Sequence, residues 1–303
     1  MVKYWPADSV NGVYLTKTEV INSQLSYTGK SYKQSALDND PVFQISRTSK
    51  SGNVTTTSYA SNGEFTQKWS DRHLLFPPVE FTNTYSAAFN GIDGAISFGN
   101  NLSYNTGQEW SMSFWFKVQN LSTRRTLYSK TSNDVNVYGI GIYIETNGRV
   151  FIQTRSPSSL AAHTSSLSFT EDVWHNLTLT YNGSGNQNGF RLYFNGTIDT
   201  IPASATLGNI STTEHARLGI RNSSFPFSGN IDEVSFWTKA LSASEVVQLY
   251  NSGSPFLLTD HSATAYLDHY YRLGDGDNSI IYDNKYSVNG TIIGGVTFVE
   301  DVP

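Results

Sequence analysis

Between Phe81 and Phe256 apolar side chains recur at every second position, interrupted only by short polar stretches. In WSMSFWFKV, Trp110, Met112, Phe114, Phe116 and Val118 share one face of an extended chain, and Ser111, Ser113, Trp115 and Lys117 share the other. YGIGIYIETNGRVFIQT reads as a hairpin turning at Asn147-Gly148, a dipeptide that accepts the positive φ angles of a type I′ turn. WHNLTLTY follows, with His175, Leu177, Leu179 and Tyr181 on one face, and GFRLYFNGTI turns again at Asn195-Gly196. ARLGIR and NIDEVSFW complete the run. So many short antiparallel strands with tight turns predict an all-β fold, a two-sheet antiparallel jelly-roll sandwich.

One segment breaks the period of two. In LSASEVVQLYNSG, Ser242 and Glu245 have the spacing of a capping box, Leu241 and Val246 that of a hydrophobic staple, and Val246, Leu249 and Tyr250 form a narrow apolar stripe. Gly253 and Pro255 are the expected stop. A helix of two to three turns at about Ser242 to Asn251 is too short to stand alone, so it must dock on the sandwich as a structural element.

Composition narrows the function classes. Only 15% of the 303 residues are charged, 14% are aromatic, and the net charge is −5, with no basic face for nucleic acid. There is no cysteine, which excludes disulfides, thiolate metal sites and cysteine nucleophiles. MVKYWPADSV has no apolar run after Lys3 and does not read as a signal peptide, and no stretch approaches membrane-spanning length, so no membrane insertion is expected. Such a balance suits a protein exposed outside a cell or on a virion, released by lysis. Asn-x-Ser/Thr triplets at Asn101, Asn176 and Asn195 are put down to composition.

FNGIDGAISFGN, WSMSFWFKV, WHNLTLTY, LYFNGT and GNIDEVSFWTKALSASEVVQLYNSG, in that order, resemble the laminin-G-like, concanavalin-A-like jelly roll over about 170 residues. In that family an Asn/Asp-Gly strand opens the domain, and a Gly-x-Ile-Asp-Glu-Val strand with a Leu-Ser-x-x-Glu helix closes it. The resemblance implies the fold, and, because the family pattern also has Trp at the position of Trp115, it implies that this residue, opposite the main core face, is buried against a second layer. It says little of function, because the architecture hosts lectins, adhesins, hydrolases and spacers. AYLDHYYRLGDGDNSIIYDNKYSVNGTIIGGVTFVEDVP resembles the family's opening strand but follows the closing helix. Either it completes the sandwich of residues 81–303 in permuted order, or it begins a second copy. The first is preferred, because a half-repeat would leave Ile292, Val296 and Phe298 without partners. The tail's placement resembles laminin-G-like proteins of tailed bacteriophages.

Residues 1–78 read as a separate module, with a hairpin around Ser51-Gly52-Asn53, a strand edge at Val54 to Tyr59 and a linker at Pro77-Pro78. FQISR and FTQKWSDR resemble short modules of phage tail, neck and fibre proteins. A unit this small and poor in apolar runs is expected to dock on other virion proteins, as a homo-oligomer on the particle exterior.

For chemistry, a regular strand points Asp232 and Glu233 to opposite faces, so they are not expected to act as an acid and base. Glu-x-Asp-x-Glu, the spacing of jelly-roll glucanases, does not occur, nor does Gly-x-Ser-x-Gly, His-Glu-x-x-His or a phosphate loop. The expectation is a non-enzymatic protein that adheres to host-surface glycan. The alternatives are a decoration or cementing protein without sugar binding, and a secreted carbohydrate-active enzyme. Tyr138 and Tyr143, near the first hairpin, are the candidate sugar-stacking residues. The resemblance also implies a structural Ca²⁺ at Asp232, with Asn90 and Asp93 as further oxygen donors. Asp275 to Asp283 lacks the glycine a calcium loop needs at its sixth position, where Ile280 stands, and reads as a turn.

Overall fold

The chain divides into two units, Met1–Glu80 and Phe81–Pro303. The structure is a computed structural model that describes residues 4–8, 13–16, 81–131, 139–156, 159–199 and 206–303. In the first unit β1 (Tyr4–Asp8) and β2 (Val13–Thr16) pair antiparallel, Tyr4 opposite Thr16. The hairpin expected at Ser51 to Asn53, the edge at Val54 to Tyr59 and the Pro77-Pro78 linker lie outside the described residues.

The second unit carries β3 (Ser86–Asn90), β4 (Ala95–Ser97), β5 (Glu109–Val118), β6 (Arg125–Lys130), β7 (Gly139–Ile144), β8 (Arg149–Ser156) and β9 (Ser159–Ser168). It continues through β10 (Trp174–Asn182), β11 (Phe190–Phe194), β12 (Thr197–Ile198), β13 (Arg217–Leu218), β14 (Ser228–Trp237) and α1 (Ala243–Tyr250). After the helix come β15 (Leu267–Tyr271), β16 (Ile280–Ile281), β17 (Gly290–Ile293) and β18 (Val296–Val299). Among the described residues these strands form two sheets of eight. One runs β12-β11-β10-β5-β14-β3-β18, with β15 also on β14, and the other runs β16-β17-β4-β13-β6-β7-β8-β9.

Alternation decides which side chains meet between the sheets. Trp110, Met112, Phe114, Phe116 and Val118 of β5 are all fully buried, as are Leu177 and Leu179 of β10. They pack against Ile142 and Ile144 of β7 and Val150 and Ile152 of β8 in one contiguous core. The stretch after the helix enters both sheets, β15 on β14, β18 on β3 and β17 on β4. It adds Tyr271, Leu273, Ile281 and Val296 to the core.

The helix forms as its residues dictate. The Ser242 hydroxyl accepts from Glu245 N at 3.3 Å, and Glu245 Oε2 accepts from Ser242 N at 2.8 Å, so both halves of the capping box are present. The stop differs from the expected one: Asn251, at φ 44°, takes the left-handed position, two residues before Gly253. A side-chain amide tolerates that region better than most residues do. Asn195 and Gly196 both have positive φ between the paired residues Phe194 and Thr197, a two-residue hairpin. At Asn147-Gly148 only Gly148 is left-handed, and Glu145 N bonds Arg149 O at 2.8 Å around a three-residue loop, so the expected type I′ turn is replaced by a longer one.

Candidate functional site

The carboxylates Asp232 and Glu233 depart from regular strand geometry. Between Asp232, opposite Trp115, and Ser235, opposite Ser113, two residues of β14 face one of β5. Glu233 sits at this bulge with φ 46°, rare for a residue with a side chain. The extra residue brings Glu233 onto the outer face beside Ser113, Trp115 and Ser235, with which it lines one small crevice. The expectation that the two acids point to opposite faces is therefore corrected: the bulge puts Glu233 on the face of Trp115, the residue opposite Asp232.

Both acids are sealed in, Asp232 at 0% and Glu233 at 4% exposure. Asp232 Oδ2 accepts from Asn83 Nδ2 at 2.8 Å and its Oδ1 from Glu233 N at 2.8 Å. Glu233 accepts from the Tyr270 hydroxyl and, at 3.3 Å, from Arg272 Nε. Arg272 also pairs with Asp275 at 2.5 Å, and Asp275 accepts from Thr84 N and Tyr85 N, both at 3.1 Å. Burial raises the Glu233 pKa to about 7 against the lowering effects of Tyr270 and Arg272. Burial and then the Glu233 charge raise Asp232 well above the usual carboxylate range. The crevice beside Glu233 has room of about 10 Å³, the scale of one water molecule, and Leu249, Phe256 and Leu258 close it. Both carboxylates are buried, with Glu233 alone of the two lining that crevice.

The residues named for calcium do not converge. Asn90 Oδ1 accepts from the backbone of Ile92, Asp93 and Gly94 at 2.9–3.1 Å, and its amide donates to Asp93 Oδ1 at 2.8 Å. Asp93 Oδ1 also receives Gly295 N at 3.1 Å, so these two residues build the turn between β3 and β4. Asn90 pairs with Ser228, four residues before Asp232 on β14 and about 13 Å away at strand rise. Asp232 spends its oxygens on Asn83 and the backbone, so the three residues do not fit one oxygen cage. Among the described residues no group of three or more His, Cys, Asp or Glu side chains is placed to hold a metal ion. Asp277, in the acidic stretch before β16, accepts from Gly274 N at 2.9 Å and Tyr282 N at 2.8 Å, the bonding of a turn.

The second sheet presents a different outer face. On β8, Phe151, Gln153 and Arg155 alternate outward with buried Val150, Ile152 and Thr154. Arg217, Ser129, Gly141, Gln153 and Ala162 share one cross-strand row. The Arg124 guanidinium lies 4.7 Å over the Phe151 ring and 5.5 Å over those of Tyr143 and Phe225, and it pairs with Glu145 at 2.5 Å. Phe225, on the loop after β13, is 36% exposed, and Arg217 Nη1 donates to Asn222 Oδ1 of that loop at 2.8 Å.

Of the two candidate stacking tyrosines, Tyr138 lies outside the described residues. Tyr143 does not present its ring to a ligand, because it is wholly buried. It lies flat along the sheet over Gly141, where a Cβ would stand 2.2 Å from the phenol oxygen. Tyr143 is thus the floor of the face, and Phe151, Phe225, Gln153 and the arginines are its accessible surface. Strand periodicity in RVFIQTR could have found Phe151, Gln153 and Arg155. Nothing local marks Arg124 or Phe225, which the sheet brings to them.

The family model described as the concanavalin A-like lectin/glucanases superfamily matches residues 90–247. No curated protein matches the chain. Among solved structures, a Bacteroides ovatus protein assigned provisionally to carbohydrate binding is similar, with TM-score 0.52 and 17% identity over 73% of this chain and 60% of that one. Domain 4 of the extracellular arabinanase AbnA from Geobacillus stearothermophilus, in complex with arabinotriose, gives TM-score 0.44 and 24% identity over 55% of this chain and 76% of that one. The CBM40 of a Ruminococcus gnavus sialidase, bound to α2,3-sialyllactose, gives 0.40 and 16% over 47% and 83%. At 17% identity the likeness to the Bacteroides protein is one of fold, and the chain spans 60% of that protein's length.

Proposed function

This chain belongs to the concanavalin A-like lectin/glucanases superfamily, and from that premise we propose that it is a non-catalytic glycan-binding protein of a tailed-bacteriophage virion. The observation that carries the binding role is the outer face of the second sheet. There Phe151 and Phe225 offer ring surface to the apolar side of a sugar, while Gln153 and Arg217 offer hydrogen-bonding groups on rigid strands. The non-catalytic part rests on the sealing of the adjacent acids Asp232 and Glu233.

The virion role is supported by the resemblance of FQISR, FTQKWSDR and the tail to phage proteins. In this reading residues 1–78 dock on other virion proteins as a homo-oligomer, and residues 81–303 face outward on the particle. Two measurements test it. The full chain applied to a glycan array should bind a defined subset of saccharides; no binding would leave the decoration role. The full chain, but not a chain lacking residues 1–78, should rebind particles assembled without it; equal rebinding by both would reverse the docking assignment.

A further inference from the structure

We propose that the loop between β16 and β17, with a bulge of β15 beside it, forms a second binding site, for a neutral saccharide, apart from the outer face of the second sheet. Strand β15 is irregular where this site begins. Phe236 of β14 pairs with His269, and the next residue, Trp237, pairs with Leu267, so Asp268 is an extra residue on β15. A regular strand would send Asp268 and His269 to opposite faces. The bulge instead brings Asp268 Oδ2 to 3.6 Å from His269 Nε2. That gap is too wide for a direct hydrogen bond and suits a bridging hydroxyl. Tyr104 donates to the same Oδ2 at 3.1 Å, and among the described residues nothing bonds Asp268 Oδ1. His269 Nε2 likewise has no hydrogen-bond partner there, and it is not sealed from solvent.

The loop supplies a ring beside these two groups. Tyr286 is 61% exposed, and its ring stands edge-on to His269, centres 6.1 Å apart. Lys285 Nζ lies 5.6 Å from the ring centre and still leaves most of the tyrosine to solvent. The loop that carries this ring is firmly held. Asp283, its side chain wholly buried, accepts from His269 Nδ1 at 2.6 Å, Tyr270 N at 3.2 Å, Lys285 N at 3.0 Å and Val288 N at 3.4 Å. One carboxylate thus ties the loop to β15 and fixes the imidazole through one nitrogen, leaving the other free. A ring and two polar groups set in advance spare a ligand the cost of ordering them. Their chemistry selects the ligand. Ionised Asp268 only accepts, and Nε2 accepts or donates with the state of the imidazole, so hydroxyl groups, which do both, satisfy each. The apolar side of a sugar ring then covers Tyr286. An anionic sugar fits poorly, because it meets the Asp268 carboxylate on a chain of net charge −5.

Ligand-observed NMR titration of the full chain with methyl galactoside, methyl glucoside and methyl glucuronide tests this. One or both neutral glycosides should bind, and the glucuronide more weakly. Tyr286→Ala should weaken the neutral binding by about tenfold at unchanged melting, the scale of one ring contact, and Tyr286→Phe should keep it. Asp268→Asn keeps an acceptor for Tyr104, loses the charge and should weaken binding several-fold. If that variant does not fold, Tyr286→Ala, at an exposed position, still decides. Phe225→Ala should leave this binding unchanged. Neutral binding lost in Phe225→Ala and kept in Tyr286→Ala would overturn the loop site and leave the second-sheet reading standing. Equal binding of the glucuronide would overturn the neutral selectivity. Binding abolished by EDTA would overturn the direct contact, because Asp268 and His269 would then hold a cation. No binding to these glycosides or to a broad array of uncharged glycans would remove the site altogether.

Discussion

The two outer faces of the sandwich start from the same strand alternation and end differently. On the first sheet Ser111, Ser113 and Trp115 of β5 and Asn176, Thr178 and Thr180 of β10 point away from the core, yet all are buried. Their hydroxyls and amides bond one another, as in Ser113 with Thr178 at 3.0 Å and Asn176 with Ser113 at 3.2 Å. Trp115 stacks on Tyr250 of α1, ring centres 5.7 Å apart. Over them lies a second apolar cluster of Trp237, Leu241, Val246, Leu249, Leu258, Leu267 and Tyr270. On the second sheet Phe151, Gln153, Arg155 and Arg217 remain partly exposed. A polar row on a strand thus says little until its cover is known. Where the helix and the C-terminal segment lie over the sheet, polarity serves packing, and where they do not, it stays partly exposed.

The strongest way to break the comparison is to remove the cover. Ending the chain at Ser254 takes away Leu258, Leu267 and Tyr270 from the outer cluster and Tyr271, Leu273 and Ile281 from the main core. Loss of soluble folded protein is expected, and a soluble truncation with unchanged melting would show that the tail is no part of the cover. Point substitutions sharpen the contrast. Trp237→Ala, wholly buried, should cost about 3–5 kcal/mol in denaturant unfolding. Phe225→Ala on the open face should cost below about 1 kcal/mol and act on saccharide binding instead.

The covered face should also carry a pH signature. Glu233 keeps a proton up to about pH 7 when folded, whereas its ordinary pKa is 4.5. Its contribution to stability is therefore full below 4.5 and lost as pH rises through about 7. His175 and His261, held low by burial, pull the other way, since their contributions are lost as pH falls. Glu233→Gln keeps the shape and the acceptor for Tyr270 and Arg272 and isolates the acid. Unfolding free energy of wild type minus variant should fall between pH 4.5 and 7.5 by something on the order of 1–3 kcal/mol. A flat difference would mean that Glu233 is ionised under its cover.

How far the sequence reveals this contrast depends on the range of the forces involved. The β5 alternation, the capping box and the Asn195-Gly196 turn are legible because neighbours within a few residues determine them, and the burial of Trp115 is implied by the family resemblance alone. The Glu233 bulge is not. It is held by Tyr270 and Arg272, 37 and 39 residues away, and no local residue demands a positive φ there. Reading NIDEVSFW as an unbroken strand puts on opposite faces two acids that the bulge brings to one. Tyr143 fails as a stacking residue for a similar reason. Gly141, two residues before it, clears the space its ring occupies, and Arg124, Phe151 and Phe225 then close over it. Asn90 and Asp93 are rightly a pair, but their turn satisfies itself and leaves Asp232 to Asn83.

The smallest expected effect asks how much of the cover is helix and how much is the chain around it. At eight residues α1 is far below the length that is stable alone in water, so packing must hold it, and its cap is a local increment. Ser242→Ala removes the oxygen that accepts Glu245 N and leaves the glutamate half of the box, which also pairs with Lys239 at 2.5 Å. The expected loss is about 1 kcal/mol, or about 2–4 °C in melting temperature for a unit of this size. Saccharide binding at the second sheet should not change, because the cap lies on the covered side and Phe151 and Phe225 on the other. A loss approaching that of Trp237→Ala would mean that the first turn of α1 nucleates the whole cover, whereas no loss would mean that Leu241, Val246 and Leu249 hold it unaided. A loss of binding at unchanged stability would be the more damaging result, since it would couple two faces that share no residues.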